Sequence, residues 1–233
     1  MAKKSIQELV YDELKRNIIS LHLKPGQAMS TQEIATKLNV SRTPVREAFL
    51  QLQSENLITM IPQKETVVSK INRSYIEQEK FIRECLEMGV IDIFLKKRSS
   101  SDIRRMAEFV EAQKRFVAEK DPVGFVEADD LFHKVLFEAT GQEMAWDTIS
   151  GKNGHYKRFR ILFVQTNDVA ESSVRQHAEI VRLLEQGEDD LVRNALKAHI
   201  QRLDIDNSEV IRSYADYFES EDENPQERRI GTL

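Results

Sequence analysis

Two helix-start signals stand eleven residues apart, at Ser30 and Ser41, and no other feature restricts the fold of this chain so closely. Ser30 is followed three residues later by Glu33, the spacing of a capping box in which each side chain satisfies the other residue's free backbone N–H. The helix that follows carries Ile34, Ala35 and Leu38 on one face and stops near Asn39, a residue that tolerates the left-handed backbone of a tight turn. Ser41 offers the next N-cap, and Pro44 falls in the first turn of a helix expected over Arg42–Ser54, where its missing N–H costs little. Upstream, Ile6, Leu9, Val10, Leu14, Ile18 and Ile19 fall at helical spacing, and Lys24-Pro25-Gly26 breaks that pattern. Downstream, Leu57–Ile61 and Thr66–Ser69 are β-rich runs separated by Pro62-Gln63-Lys64-Glu65 and read as a short hairpin. Helix, helix, tight turn, helix and hairpin is the order of a winged helix-turn-helix, expected over residues 1–72.

The second helix of that pair presents Arg42, Thr43 and Arg46 in its opening turns, the end that enters the DNA major groove in such motifs. An arginine there can bond guanine O6 and N7 together, a contact worth about 1–3 kcal/mol of base discrimination, and a threonine can hold a phosphate. Val45, Phe49 and Leu52 lie on the opposite, apolar side and should lock the helix against its two predecessors. From spacing alone, an ordinary helical hairpin with solvated arginines remains the competing reading. Charge bears on the choice only weakly. The chain carries a net −5, yet residues 1–72 hold ten Lys and Arg against seven Asp and Glu, which is +3, and the remainder is −8.

From Arg73 onward strand signals vanish. Amphipathic stretches at about 74–97, 100–119, 121–139, 143–165, 171–186 and 188–217 predict six helices and an all-α antiparallel bundle over residues 73–218. Gly187 fits a C-terminal cap between the last two. The fold class is therefore mainly α, and residues 219–233 form an acidic tail expected to be mobile. Inside the bundle Asp129 and His133 are spaced i, i+4, which puts both on one helical face and suits two ligands of one metal ion. A surface contact or a satisfied core histidine is the other reading. His177 and His199, each among apolar residues at helical spacing, sharpen the case for a zinc, nickel or manganese site. Glu127 and Asp130 read as solvated helix charges, His155 as a surface or pocket-edge residue, His22 as a loop residue and Cys85 as a buried structural thiol. No apolar run approaches the roughly 20 residues a bilayer span needs, and the start lacks a signal peptide's apolar core, so a cytoplasmic protein with no membrane partner is expected.

The run N-V-S-R-T-P-V-R-E-A resembles the recognition-helix signature of the GntR superfamily of bacterial transcription regulators. That resemblance implies that Arg42 and Arg46 read bases, helped by Thr43 and by the wing, with Gln32 and Lys64 as further DNA-contact candidates. Glu65 stands where the family's wing tip usually carries glycine, and a carboxylate there is repelled by phosphate. D-x-x-x-H, then Q-H-A-E-I-V-R-L-L-E-Q-G-E, then A-x-x-x-H is similar to the FCD ligand-binding domain of the FadR subfamily, with six helices as in its VanR-type branch. The implied site is a divalent metal, zinc first, on Asp129, His133, His177 and His199, holding a small carboxylate effector. Arg83 matches a family arginine that faces the cavity, unless it makes an intradomain salt bridge. Arg158 and, with it, Arg160 are further effector candidates. The implied function is a homodimeric, effector-responsive regulator of a pseudo-palindromic operator, with repression as the expected sign and no enzymatic activity. A metal-dependent, hydrolase-like enzyme, or a helical part that only dimerises around a structural metal, are the alternatives.

Overall fold

The computed structural model describes residues 4–61, 65–166, 169–203, 205–206 and 208–220. The chain divides into two compact units, one formed by residues up to Tyr75 together with those from Ile211, the other by Ile76–Val210. Lys64 and the acidic tail beyond residue 220 lie outside the described residues.

The first unit begins with α1 (Ile6–Ile19), started by a capping box between Ser5 and Glu8. Strand β1 (Ala28–Met29) follows the Lys24–Gly26 break, and Gly26 takes φ +82 there, a left-handed conformation open to glycine. Helix α2 (Thr31–Leu38) has the expected Ser30–Glu33 box and ends on Asn39 at φ 52. Helix α3 (Arg42–Ser54) starts after Ser41, whose extended backbone marks the cap but whose hydroxyl makes no capping bond. Strands β2 (Ile58–Met60) and β3 (Thr66–Val68) pair antiparallel, with Met60 opposite Thr66. The sheet has three strands rather than the two of a simple hairpin, in the order β1-β3-β2. The sequence hid β1 because two residues are too few to display alternation.

The core of this unit joins Val10, Leu14 and Ile18 of α1 to Val45, Phe49 and Leu52 of α3 and to Ile58 and Val68 of the sheet. Helix α3 thus spends one face on packing and leaves Arg42, Thr43 and Arg46 exposed on the other. The chain's later segment joins the same unit. Ile71 N–H donates to Tyr217 O at 2.7 Å, and Glu219 N–H to Ile71 O at 3.1 Å.

The second unit holds α4 (Arg73–Lys97) from Ile76, then α5 (Ser100–Glu119), α6 (Pro122–Glu138), α7 (Glu143–Gly151), α8 (Gly154–Thr166), α9 (Val169–Gln186) and α10 (Asp189–Gln201). Helix α11 (Ser208–Ser213) crosses the division between units. The stretch expected as one helix over 143–165 is two, interrupted at Lys152-Asn153. The glycines flanking that step, Gly151 and Gly154, are poor helix formers, and asparagine favours a cap. The last expected helix likewise stops at Gln201. Seven helices from α4 to α10 therefore replace the six expected, which removes the count as a ground for choosing a branch.

Helix α6 is the buried centre. Asp121 caps it through two backbone N–H groups and Pro122 opens it. It packs on α5, α7 and α8, and residues on every side of it are buried, as a helix surrounded by others requires. At its first turn a Cβ on Gly124 would come within 2.5 Å of the Phe116 ring and 2.6 Å of Asp121 Oδ2, so a larger residue there would displace the side chains that close this end of α5 and α6.

Truncating the anchor of α3 should separate packing from surface charge. Phe49→Ala is expected to cost about 3–5 kcal/mol in chemical denaturation, and Arg42→Ala less than about 0.5 kcal/mol.

Candidate functional site

Asp129 and His133 of α6, His177 of α9 and His199 of α10 converge, and one ligand atom from each lies within 4.8 Å of the other three. Their pairwise distances include 3.0 Å between the Nε2 atoms of His177 and His199, and 3.7 Å from His177 Nε2 to Asp129 Oδ1. His133 Nε2 lies 3.8 Å from Asp129 Oδ2. Donors bound at roughly 2.1 Å to one ion sit about 3–4 Å apart, so the spacing fits a shared cation.

The other nitrogen of each ring is already held. His133 Nδ1 meets Glu87 Oε2 at 2.5 Å, His177 Nδ1 meets Gln113 Oε1 at 2.8 Å, and His199 Nδ1 meets Gln176 Oε1 at 2.9 Å. An acceptor oxygen at Nδ1 fixes the proton there and leaves the Nε2 lone pair aimed inward, the arrangement by which outer partners orient metal-ligating histidines. Two such lone pairs at 3.0 Å cannot bond each other, and His133 Nε2 is buried with no hydrogen-bond partner among the described residues. Three inward lone pairs and one carboxylate are the donor set of a divalent cation. Protonation does not relieve the contact. Burial, joined by the neighbouring His133, pushes His177 down to about 3 against the pull of Asp129, and burial also carries His199 well below the usual histidine range.

A charged layer encloses this cluster. Arg83 of α4 is buried and pairs with Glu87 at 2.6 Å and with both Asp129 and Asp130 at 3.3 Å. Arg160 of α8 bonds Asp130 Oδ1 at 2.6 Å and Asp129 Oδ2, while Lys157 reaches Asp130 Oδ2 at 2.7 Å. Burial opposes ionising these acids, but Arg160 and Arg83 hold Asp129 well below the usual carboxylate range; the His133 ring N–H and the Arg83 guanidinium bring Glu87 to about 2.

A cavity of about 50 Å³ opens beside the cluster, lined by Arg83, Asp129, His133, Tyr156, Arg160, Ser173, His199 and Arg202 among others. That is room for a few waters or a small ligand. Arg83 lines it as expected, although its charge is also matched internally. Arg158 does not line it: its Nε donates to Gly154 O at 3.0 Å and the side chain is fully buried elsewhere. Two positions along α8 Arg160 faces the cavity instead, because a helix turns about 200° over two residues. Asp130 is not a solvated charge but a buried one, His155 is buried rather than at the surface, and Cys85 is exposed rather than structural. Glu127 is exposed as expected. Gln113, Glu87 and Gln176 were missed. Gln176 sits within the quoted Q-H-A-E run, whereas nothing in the sequence ties Gln113 or Glu87 to a histidine 64 or 46 positions away.

In the first unit Arg42, Thr43, Arg46 and Gln32 are all exposed, and neither arginine has an ion pair among the described residues. Gln32 Nε2 donates to Thr36 Oγ1 at 3.2 Å. Glu65 is exposed beside β3. No described helix is long and apolar enough to cross a membrane.

The chain matches the FCD domain family over residues 81–202 and the family described as bacterial regulatory proteins, gntR family, over residues 6–68. It is 29% identical over 216 residues to the HTH-type transcriptional repressor RspR of Escherichia coli strain K12, covering 93% of this chain and 95% of that one. It is 30% identical over 206 residues to an HTH-type transcriptional regulator in an unstable DNA locus of Streptomyces ambofaciens, covering 88% and 86%. Among solved structures, that of E. coli McbR/YncC has the same fold, with a TM-score of 0.74 at 20% identity over 91% of this chain and all of the other. These relatives are transcriptional regulators rather than enzymes.

Two measurements test the site. Gln113→Ala should weaken divalent-ion binding by about 10- to 100-fold in a competitive chelator titration without removing a ligand. Partial burial raises Glu79, whose Oε2 accepts from Tyr156 N–H at 2.7 Å, from 4.5 to about 7. Its stabilising contribution is thus complete below pH 4.5 and lost as pH rises through 7. Denaturation midpoints of Glu79→Gln should lack this component of the pH slope.

Proposed function

The chain belongs to the gntR family of bacterial regulatory proteins, with an FCD domain after its DNA-binding unit, and from that premise we propose a metal-dependent, effector-responsive repressor that binds a pseudo-palindromic operator as a homodimer. The observation that carries the metal is the meeting of His177 and His199 Nε2 at 3.0 Å with both Nδ1 atoms already bonded. Zinc is the first candidate for three imidazoles and one carboxylate, with nickel and manganese next. When bound, the ion supplies a positive centre that can take an oxygen of a small carboxylate effector.

The chain's own residues do the rest. Glu87, Gln113 and Gln176 orient the rings; Arg83 and Arg160 hold Asp129, so that its carboxylate stays ionised. The acids near the cluster are committed to cations, Asp130 to three of them, which leaves a binding site rather than a set of free bases. On the first unit, Arg42 and Arg46 read base edges and Thr43 holds phosphate, with Gln32 and, in the wing, Lys64 as secondary contacts. A winged helix binds one half-site, so two copies on a palindrome are the natural arrangement, in the cytoplasm where the operator is. Effector binding changes operator affinity through a coupling of about 1–3 kcal/mol.

Gel shifts across a palindromic operator test the reading. Arg46→Ala should weaken specific binding roughly 5- to 150-fold and relax the sequence preference at one position of each half-site. Chelation, or a small acid that measurably binds, should shift wild-type affinity. An affinity indifferent to both would refute the switch.

A further inference from the structure

Arg202 differs from the other arginines on the cavity wall in having no carboxylate. Arg83 and Arg160 are held by Glu87, Asp129 and Asp130. The Arg202 guanidinium donates only to neutral oxygens: Ser172 Oγ at 2.5 Å, Ser173 Oγ at 2.7 Å and Val169 O at 3.4 Å. No acid lies within ion-pair distance of it among the described residues, and its partial burial lowers its pKa although the residue stays exposed. Two serines and a carbonyl therefore aim a positive charge at the cavity and leave it unbalanced. On the same wall the Tyr156 hydroxyl has no hydrogen-bond partner among the described residues, while its ring lies 5.5 Å from the Arg160 guanidinium.

The balance of charge points the same way. Arg83, Arg160 and Lys157 supply three positive charges, matched by three negative ones on Glu87, Asp129 and Asp130. The ligand histidines are neutral when they present Nε2 lone pairs. A divalent ion would add two positive charges and Arg202 one, so a monocarboxylate would leave the loaded cavity with an excess of two. A dianion comes closer to neutrality, and its second carboxylate would meet Arg202, an exposed residue of the cavity lining that the serines hold in place.

We propose that Arg202, assisted by the Tyr156 hydroxyl, is the second seat of a two-headed effector, a short dicarboxylic acid with one carboxylate at the four-ligand cluster and the other on the Arg202 guanidinium. The small cavity restricts the chain between the two heads to a few carbons. This rests on the effector-site reading above and adds to it the class of acid and the residue that selects it.

The test uses the full-length protein loaded with zinc. Malonate, succinate and glutarate are titrated calorimetrically against their monoamides, which keep one carboxylate and the same size. At least one diacid should bind tighter than its monoamide by about fivefold or more, the upper end for a partly exposed charge pair. Arg202→Gln should bring the two within about twofold while metal content, read by native mass spectrometry, stays unchanged; Arg202→Lys should restore part of the preference. A preference that survives in Arg202→Gln, or a series in which no diacid out-binds its monoamide, overturns the proposal. If monocarboxylates still bind in a metal-dependent way, the effector-site reading stands without the second seat; if no acid binds, both fall.

Discussion

The helical unit depends on a buried ionic layer that is complete only as a whole. Asp129 and Asp130 are neighbours on the central helix, and they share the guanidinium groups of Arg83 from α4 and Arg160 from α8. Charges this far from water are costly alone, by several kcal/mol each, and tolerable only when every partner is present in good geometry. The layer therefore ties α4, α6 and α8 to one another through side chains that each need the others. It also fixes the acid that the histidines need, because Asp129 offers Oδ2 to the arginines and Oδ1 toward His177. One carboxylate thus belongs both to the ionic layer and to the cluster of converging donors.

The two units divide their labour by the kind of burial they use. In the DNA-binding unit the core is hydrocarbon, with Val45, Phe49 and Leu52 of α3 fully enclosed, so the helix can leave its arginines to solvent. In the helical unit the interior is partly polar: arginines and carboxylates pair with one another, while the imidazoles turn Nε2 atoms inward that no donor among the described residues meets. A hydrocarbon core needs only the right volume. A polar one needs the right partners, which makes it suited to recognising a charged ligand.

The same contrast governs how much was legible in the sequence. Local devices read well: the Ser30–Glu33 box, the left-handed Asn39, and the faces of α1 and α3 are all set within a few residues. The convergence of these four donors was also legible, since i, i+4 spacing on α6 and apolar neighbours around His177 and His199 turn them inward. What escaped were relations between distant positions. Asp130 looked solvated because its three cations come from other parts of the chain, and Gln113 carried no mark at all because its partner lies across the α5–α9 contact. Arg158 and Arg160 lie two apart, and only the phase of α8 against α6 decides which of them reaches the cavity. The break between α7 and α8 and the two-residue strand β1 fall below the length at which periodicity speaks.

The shared use of Arg83 and Arg160 by two adjacent aspartates has a consequence for how such a chain can evolve. A single exchange at position 83, 129, 130 or 160 would strand an opposite charge in the interior, so these sites are bound to drift in concert, by compensated pairs or not at all. Arg202 is under no such bond, its partners being two serine hydroxyls and a backbone carbonyl. Innovation in what the domain senses would thus run along the free rim of the chamber, while the interior keeps its inherited pairing.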